Sequence, residues 1–283
     1  MTALATTRDE LDEVRSVWRK EGAVVAVVMT MGALHAGHAE LIGRARERAD
    51  RVVVTDFLNP LQFAPGEDLD KYPRTLAADL DLCRAEGVDL VFAPGREEVY
   101  PEGDPVVRVQ AGPVGDVLEG RSRPGHFDGV LTVVAKLLNL TDPALAYFGQ
   151  KDAQQLWLIS QMVADLDFGV EVVEVPTVRD ADGLALSSRN IYLSDGDRAK
   201  ALALHEALLQ GRSHAGEGPS ATVGGAADHL ASAGVEVDYV ALVDPQTFEP
   251  LDGDGDGILL VAAFVGTTRL IDNLRLRVGA EGG

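Results

Sequence analysis

Two histidines, His35 and His38, follow an aliphatic run that ends in Thr30-Met31-Gly32, with a second glycine, Gly37, between them. A strand that passes through glycine into a helix would set both imidazoles at a helix N-terminus. Free N–H groups and the helix dipole favour anions there. Two imidazoles so placed can donate hydrogen bonds to phosphate oxygens while only partly protonated. They do so most strongly as the phosphate gains charge in a transition state. The same residues are compatible with other roles: one histidine can cap the helix or pack in the core, or both can bind a metal. A metal pair asks for a third ligand, and the nearest acid, Glu40, is not obviously placed for it. The stretch has neither the Lys-Ser/Thr of a P-loop nor the spacing of a dinucleotide fingerprint.

The elements that must carry these groups alternate. Apolar runs predict strands over 23–29, 51–58, 88–94, 144–149 and 169–178. Between them, periodic stretches predict helices over 39–50, 73–87, 125–140 and 152–166. Pro73 suits a first helical turn, and Gly87 suits the position just past a helix end. Strands alternating with helices imply right-handed crossovers: an α/β fold with a Rossmann-like, mostly parallel sheet and helices on both faces. Ligands in such sheets sit beyond the carboxyl ends of the strands. The pattern changes after about residue 176. A helix beginning at Ser194 or Asp195, a Gly-rich connection and a second helix over 219–234 interrupted at Gly224-Gly225 precede three strands, over 237–244, 257–266 and 268–278. We expect two domains, 1–176 and 177–283, the second smaller and α+β.

Bulk properties narrow the function classes. Forty-five acidic against 25 basic residues give a formal charge of −20, which repels nucleic acid and anionic lipid. An anionic small substrate remains compatible if its pocket is locally basic. No uninterrupted apolar stretch is long enough for a membrane span, and the acidic beginning shows no basic-then-apolar leader, so a cytoplasmic location is expected. The single cysteine, Cys83, excludes an internal disulfide framework and a cysteine zinc site, and its helical setting predicts a core residue. The acidic run at 252–257 lacks the closing acid of a calcium loop, since position 263 is Ala263, and reads as a turn between strands.

Residues Met31 to His38 resemble the HIGH-type motif of the nucleotidyltransferase superfamily and, more narrowly, the pantoate–β-alanine ligase family. The likeness continues in order through Asn59-Pro60-Leu61-Gln62-Phe63, Lys71-Tyr72-Pro73-Arg74-Thr75, Arg123-Pro124-Gly125-His126-Phe127-Asp128-Gly129-Val130, Phe148-Gly149-Gln150-Lys151-Asp152, Leu186-Ser187-Ser188-Arg189-Asn190 and Thr268-Arg269-Leu270-Ile271-Asp272-Asn273. It spans nearly the whole chain. Three positions depart from the family pattern: Met29 where a proline is usual, Asp56 where an apolar residue is usual, and Thr267 where a lysine is usual.

The resemblance implies ATP-dependent condensation of pantoate with β-alanine through a pantoyl adenylate. A nucleotidyltransferase acting on another acid or phosphate is the alternative. Chemistry of this kind needs charge neutralisation and alignment rather than a covalent nucleophile. It implies that His35, His38, Lys151, Ser187, Ser188 and Arg189 face the phosphates. Met31, Gly32, Gly149, Asp152 and backbone near Val178 and Leu186 would complete the nucleotide site. Gln62 and Gln155 would read the pantoate oxygens, Met31 and Phe63 its gem-dimethyl group, and Arg123 would join or wall the anion site, with His126 structural. Asp79 is expected near Mg²⁺. The resemblance also implies a homodimer and a C-terminal lid that closes over an adenylate.

Overall fold

The computed structural model describes residues 2–64 and 68–279, without the side chain of Asp68. Two elements precede the first expected strand: β1 (Ala3–Ala5) and α1 (Arg8–Glu21). Thr7 caps α1 in a reciprocal box with Glu10, and Gly22 closes it in the left-handed region at φ +68°. Then come β2 (Val25–Thr30), α2 (Ala36–Arg48), β3 (Arg51–Asp56), 3-10 turns at Pro60–Gln62 and Asp68–Asp70, α3 (Leu76–Ala85), β4 (Leu90–Phe92), the short helix α4 (Arg96–Val99), a 3-10 turn (Pro113–Asp116) and the short helix α5 (Glu119–Ser122). They are followed by α6 (His126–Thr141), β5 (Leu145–Gly149), a 3-10 turn (Gln150–Asp152), α7 (Ala153–Asp165) and β6 (Glu171–Val175). The third helix starts after Thr75 rather than at Pro73, because Thr75 keeps a non-helical backbone and its carbonyl accepts the first helical bond, from Asp79.

The chain divides into two compact units. The first holds residues 1–149 and 158–175, the second 150–157 and 176–283. In the first, six strands pair in the order β1-β4-β3-β2-β5-β6, every neighbour parallel. Ala26, Val28, Val52 and Val54 pack on Ile42 and Ala45 of α2 and on Cys83 of α3. The alternate residues Val27 and Val53 are fully buried as well, as a sheet covered on both faces requires. Cys83 is a core residue as expected, and burial pushes its thiol up to about 12. The strand order reverses between β2 and β5, so the switch point, where open α/β sheets bind ligands, lies at the ends of these two strands.

In the second unit α8 (Asp195–Ser213) and α9 (Pro219–Ser232) pack on an antiparallel sheet of β7 (Glu236–Val243), β8 (Gly255–Val265) and β9 (Thr268–Val278). Gly224-Gly225 does not interrupt α9, contrary to expectation. A Cβ on Gly225 would lie 2.6 Å from the His214 ring, and one on Gly211 2.8 Å from the Thr222 carbonyl, so these glycines let the helices approach. The acidic run at 252–257 turns into β8, which begins at Gly255. Residues 150–157, expected in the first domain, group with the second unit: Asn273 binds carbonyls of the 150–152 turn, and Trp157 Nε1 donates to the Gln246 carbonyl.

Candidate active site

In the first unit the histidine loop leaves β2 through Thr30, whose hydroxyl donates to the Thr55 carbonyl (2.7 Å) and accepts from Gly32 N–H (3.2 Å). Gly32 and Ala33 then take positive φ, +80° and +52°. That turn aims two successive amides at one acceptor: Ala33 N–H (3.1 Å) and Leu34 N–H (2.7 Å) both donate to the carboxylate of Asp79. Thr75 adds its hydroxyl to the same carboxylate at 3.0 Å. Asp79 is 3% exposed. With both oxygens engaged by three donors, it does not fit a direct Mg²⁺ ligand; it is the anchor of the histidine loop. Among the described residues no group of three His, Cys, Asp or Glu side chains could hold a metal ion.

His35 and His38 cap α2 reciprocally. Gly37 N–H donates to His35 Nδ1 (3.1 Å) and His35 N–H donates to His38 Nδ1 (3.2 Å), with ring centroids 4.2 Å apart. A neutral imidazole carries one proton, so acceptance at Nδ1 places that proton on Nε2 in both rings. The capping role and the phosphate role are therefore compatible. The cap uses one nitrogen of each ring and makes the other a donor. Asp56 stands beside this loop, and a Cβ on Gly32 would lie 2.6 Å from its Oδ1. Burial, with the nearby Asp79 charge second, raises the Asp56 carboxyl to about 6.

A polar cluster around Gln62 forms the second part of this unit's site. Tyr100 OH donates to Asn59 Oδ1 (2.9 Å), and Asn59 Nδ2 donates to Gln62 Oε1 (3.0 Å) and to the Gly129 carbonyl (3.1 Å). Gln62 Nε2 reaches the Met31 sulfur at 3.0 Å, so two residues expected to meet pantoate are neighbours. Phe63 meets Tyr72 edge-on, with centroids 6.2 Å apart. Arg123 and His126 both donate to the Gln62 carbonyl (3.3 and 2.9 Å), and Arg123 donates to His126 Nε2 (3.1 Å). His126 thus carries its neutral proton on Nδ1, opposite to the other two histidines, and acts as a strut. A Cβ on Gly129 would lie 2.2 Å from the Leu61 carbonyl, which explains a glycine inside α6. Sequence reasoning gave no role to Asn59 or Tyr100; the Asn-Pro step was the available signal for the first.

In the second unit, Lys151 sits in the 3-10 turn before α7, its Nζ 3.9 Å from Asp152. Gln155 follows one turn later on α7. Gly149, the last residue of β5, would meet nothing within 4 Å if it bore a Cβ, so the packing of the chain itself does not demand glycine. Leu186 N–H donates to the Val178 carbonyl (3.0 Å), so an adenine edge read here must use the other backbone groups of these residues. Ser187 caps the 3-10 turn Ser188–Tyr192, accepting from Arg189 N–H (3.3 Å). Arg179 grips Asp272 with two bonds, 2.6 and 2.9 Å, and donates to the Gly183 carbonyl (3.1 Å).

The two units offer different groups. The first offers imidazole donors beside an amide-lined polar cluster. The second offers an ammonium, two hydroxyls and a guanidinium, a set that suits nonbridging phosphate oxygens. The family model for pantoate-beta-alanine ligase matches residues 3–275. Pantothenate synthetase 4 of Frankia alni is 57% identical over 263 residues, covering 93% of this chain and 86% of that one. A crystal structure of pantothenate synthetase from Thermus thermophilus superposes with a TM-score of 0.90 at 48% identity, covering 96% of this chain and 98% of that one. A pantoate-beta-alanine ligase from Francisella tularensis, solved in complex with beta-gamma ATP and beta-alanine, superposes with a TM-score of 0.83 at 34% identity, covering 97% of each chain.

Proposed function

The chain belongs to the pantoate-beta-alanine ligase family, and from that premise we propose that it condenses (R)-pantoate with β-alanine at the expense of ATP. A pantoate carboxylate oxygen attacks the α-phosphorus, and pyrophosphate leaves with the cleaved P–O bond. The β-alanine nitrogen then attacks the acyl carbon, and AMP leaves with the oxygen that came from pantoate. The first step builds charge on phosphate oxygens, so donors aimed at them lower the barrier. His35 and His38 donate from Nε2, Lys151 neutralises α- or β-phosphate charge, and Ser187, Ser188 and Arg189 hold nonbridging oxygens. Gly149 and Asp152 take the adenosine side, Asp152 accepting from ribose hydroxyls, with backbone of Val178, Leu186, Met31 and Gly32. Gln62 and Gln155 read the pantoate oxygens, and Met31 and Phe63 wall its methyl groups. Arg123 serves through the Gln62 carbonyl. The amine needs no dedicated base, because its proton can pass to the departing adenylate phosphate.

Mg²⁺ would arrive on the triphosphate and add charge neutralisation there, since magnesium leans on substrate phosphates with few protein ligands. We further propose a homodimer and a cytoplasmic enzyme. Among the described residues no helix is long and apolar enough to cross a membrane.

The observation that carries the chemical reading is the reciprocal cap, which gives both imidazoles a donor nitrogen without requiring either to be charged. Exchange of labelled pyrophosphate into ATP tests it. The exchange should require pantoate and proceed without β-alanine. Exchange supported by another acid but not by pantoate would transfer the assignment to a different nucleotidyltransferase.

A further inference from the structure

The Thr268–Asn273 run of β9 has no part in the chemistry above, yet its last two residues are among the most constrained polar groups of the second unit. Asn273 is 7% exposed and Asp272 4%. The Asn273 side-chain nitrogen donates to the carbonyls of both Gln150 and Lys151, each at 2.8 Å. An amide nitrogen has two hydrogens, and here each has its own acceptor. Asp272 Oδ1 receives the Asn273 backbone N–H at 2.8 Å, and the same carboxylate receives the two Arg179 bonds. Arg179 lies at the base of the turn that runs to Ala185, one residue before the Leu186-Ser187-Ser188-Arg189 segment.

We propose that Asn273 is the positioning residue for Lys151, and that the Asp272–Asn273 step of β9 fixes the Lys151 turn and the 179–185 turn in a single frame. The inference rests on the reading that the Lys151 ammonium meets nucleotide phosphate. An uncapped carbonyl in this turn would be a competing acceptor for a flexible ammonium. Two donated hydrogens occupy the carbonyls of residues 150 and 151. The donor is a neutral amide, so it brings no counter-charge to the lysine. A carboxylate at the same place would repel both carbonyls and draw the ammonium to itself. Because the neighbouring Asp272 carboxylate is matched bidentately by a guanidinium, the strand carries a buried charge without leaving it unpaired.

The test compares the full chain with Asn273→Ala, the isosteric Asn273→Asp, Lys151→Ala and the Asn273→Ala/Lys151→Ala double variant, read by pantoate-dependent pyrophosphate exchange. Both Asn273 variants should lose about tenfold to a hundredfold in exchange rate, the scale of a small displacement of a charged group. The pantoate KM should stay within about twofold. In the Lys151→Ala background the Asn273 change should add little, because a residue that acts through another is non-additive with it. Full additivity, a silent Asn273→Asp, or unfolding of both Asn273 variants at the assay temperature would each overturn the inference and leave the Lys151 reading standing. An unimpaired Lys151→Ala would remove that reading and the inference with it.

Discussion

The histidine loop of the first unit and the Lys151 turn of the second are both short irregular segments that follow a strand, and both are pinned by a side chain far away in sequence. They are pinned with opposite polarity. Asp79 accepts two backbone N–H groups from residues 33 and 34, whereas Asn273 donates to two backbone carbonyls, of residues 150 and 151. The choice follows from what each segment carries. The Asp79 carboxylate spends its oxygens on two loop amides and the Thr75 hydroxyl, while the imidazoles cap through Nδ1, so the anchor's charge is met by the loop's backbone rather than by the rings. The Lys151 ammonium already has the Asp152 carboxylate 3.9 Å away, and a neutral amide anchor adds no second carboxylate to compete with the proposed phosphate for it. Charge at the anchor is therefore as informative as charge at the site.

Several changes break or sharpen this contrast. The largest effect belongs to Lys151→Ala, which should lower pantoate-dependent pyrophosphate exchange by about a thousandfold, the scale of losing one preorganised charge partner. Circular dichroism should show an intact fold. Next, Asp79→Ala leaves two amides and the Thr75 hydroxyl without their acceptor. It should cost about 1–3 kcal/mol in urea unfolding as well as reducing kcat. Asp79→Asn keeps one acceptor oxygen and should recover part of both losses. If instead Asp79→Ala altered only the Mg²⁺ dependence of the rate, the anchor assignment would be wrong. Gly129→Ala drives a Cβ toward the Leu61 carbonyl and should destabilise by about 1–3 kcal/mol. It should raise the KM for pantoate more than that for ATP, because it displaces Gln62.

The smallest effect is expected at Asp56. Its carboxyl is raised from 3.8 to about 6 in the fold, chiefly by burial. Between those values the folded chain keeps a proton that the unfolded chain has lost, so stability falls as pH rises through the window and stays reduced above it. Asp56→Asn should therefore raise Tm by a few degrees at pH 8 and leave it nearly unchanged at pH 4, a difference on the order of 2 kcal/mol. Equal Tm gains at both pH values would show that packing, not ionisation, is responsible.

How much of this was legible depended on distance along the chain. The alternating strands and helices of the sheet were readable because each element carries its own period, and the glycine after α3 marked its end, at φ +72°. The beginning of α1 was also encoded locally, by Thr7 and Glu10, and its apolar stripe, Leu11, Val14 and Trp18, is narrow and set in a mostly charged stretch. The continuity of α9 was not legible. Paired glycines usually weaken a helix; the His214 ring of the neighbouring connection accounts for the second, Gly225, and nothing lies close to where a Cβ on the first, Gly224, would sit. In the site, the histidines and Lys151 stand next to strand ends and could be placed by motif. Their anchors could not be read this way: Asp79 lies 45 residues from Leu34, and Asn273 lies 122 from Lys151. Neither pairing leaves a local trace. Likewise, the sequence singles out Arg123 but not its donation to the Gln62 carbonyl, since that depends on Gly129 allowing α6 to touch Leu61.

The central claim is that a small basic set of side chains in an acidic molecule aligns a pantoate carboxylate with the α-phosphorus of ATP. Pantoate labelled with heavy oxygen in its carboxylate tests this most directly, with AMP and pyrophosphate analysed by mass after one turnover in the presence of β-alanine. The account predicts one labelled oxygen in AMP and none in pyrophosphate. Label in pyrophosphate, or AMP without label, would mean that the carboxylate attacks elsewhere or not at all, and the phosphate roles of His35, His38 and Lys151 would have to be abandoned.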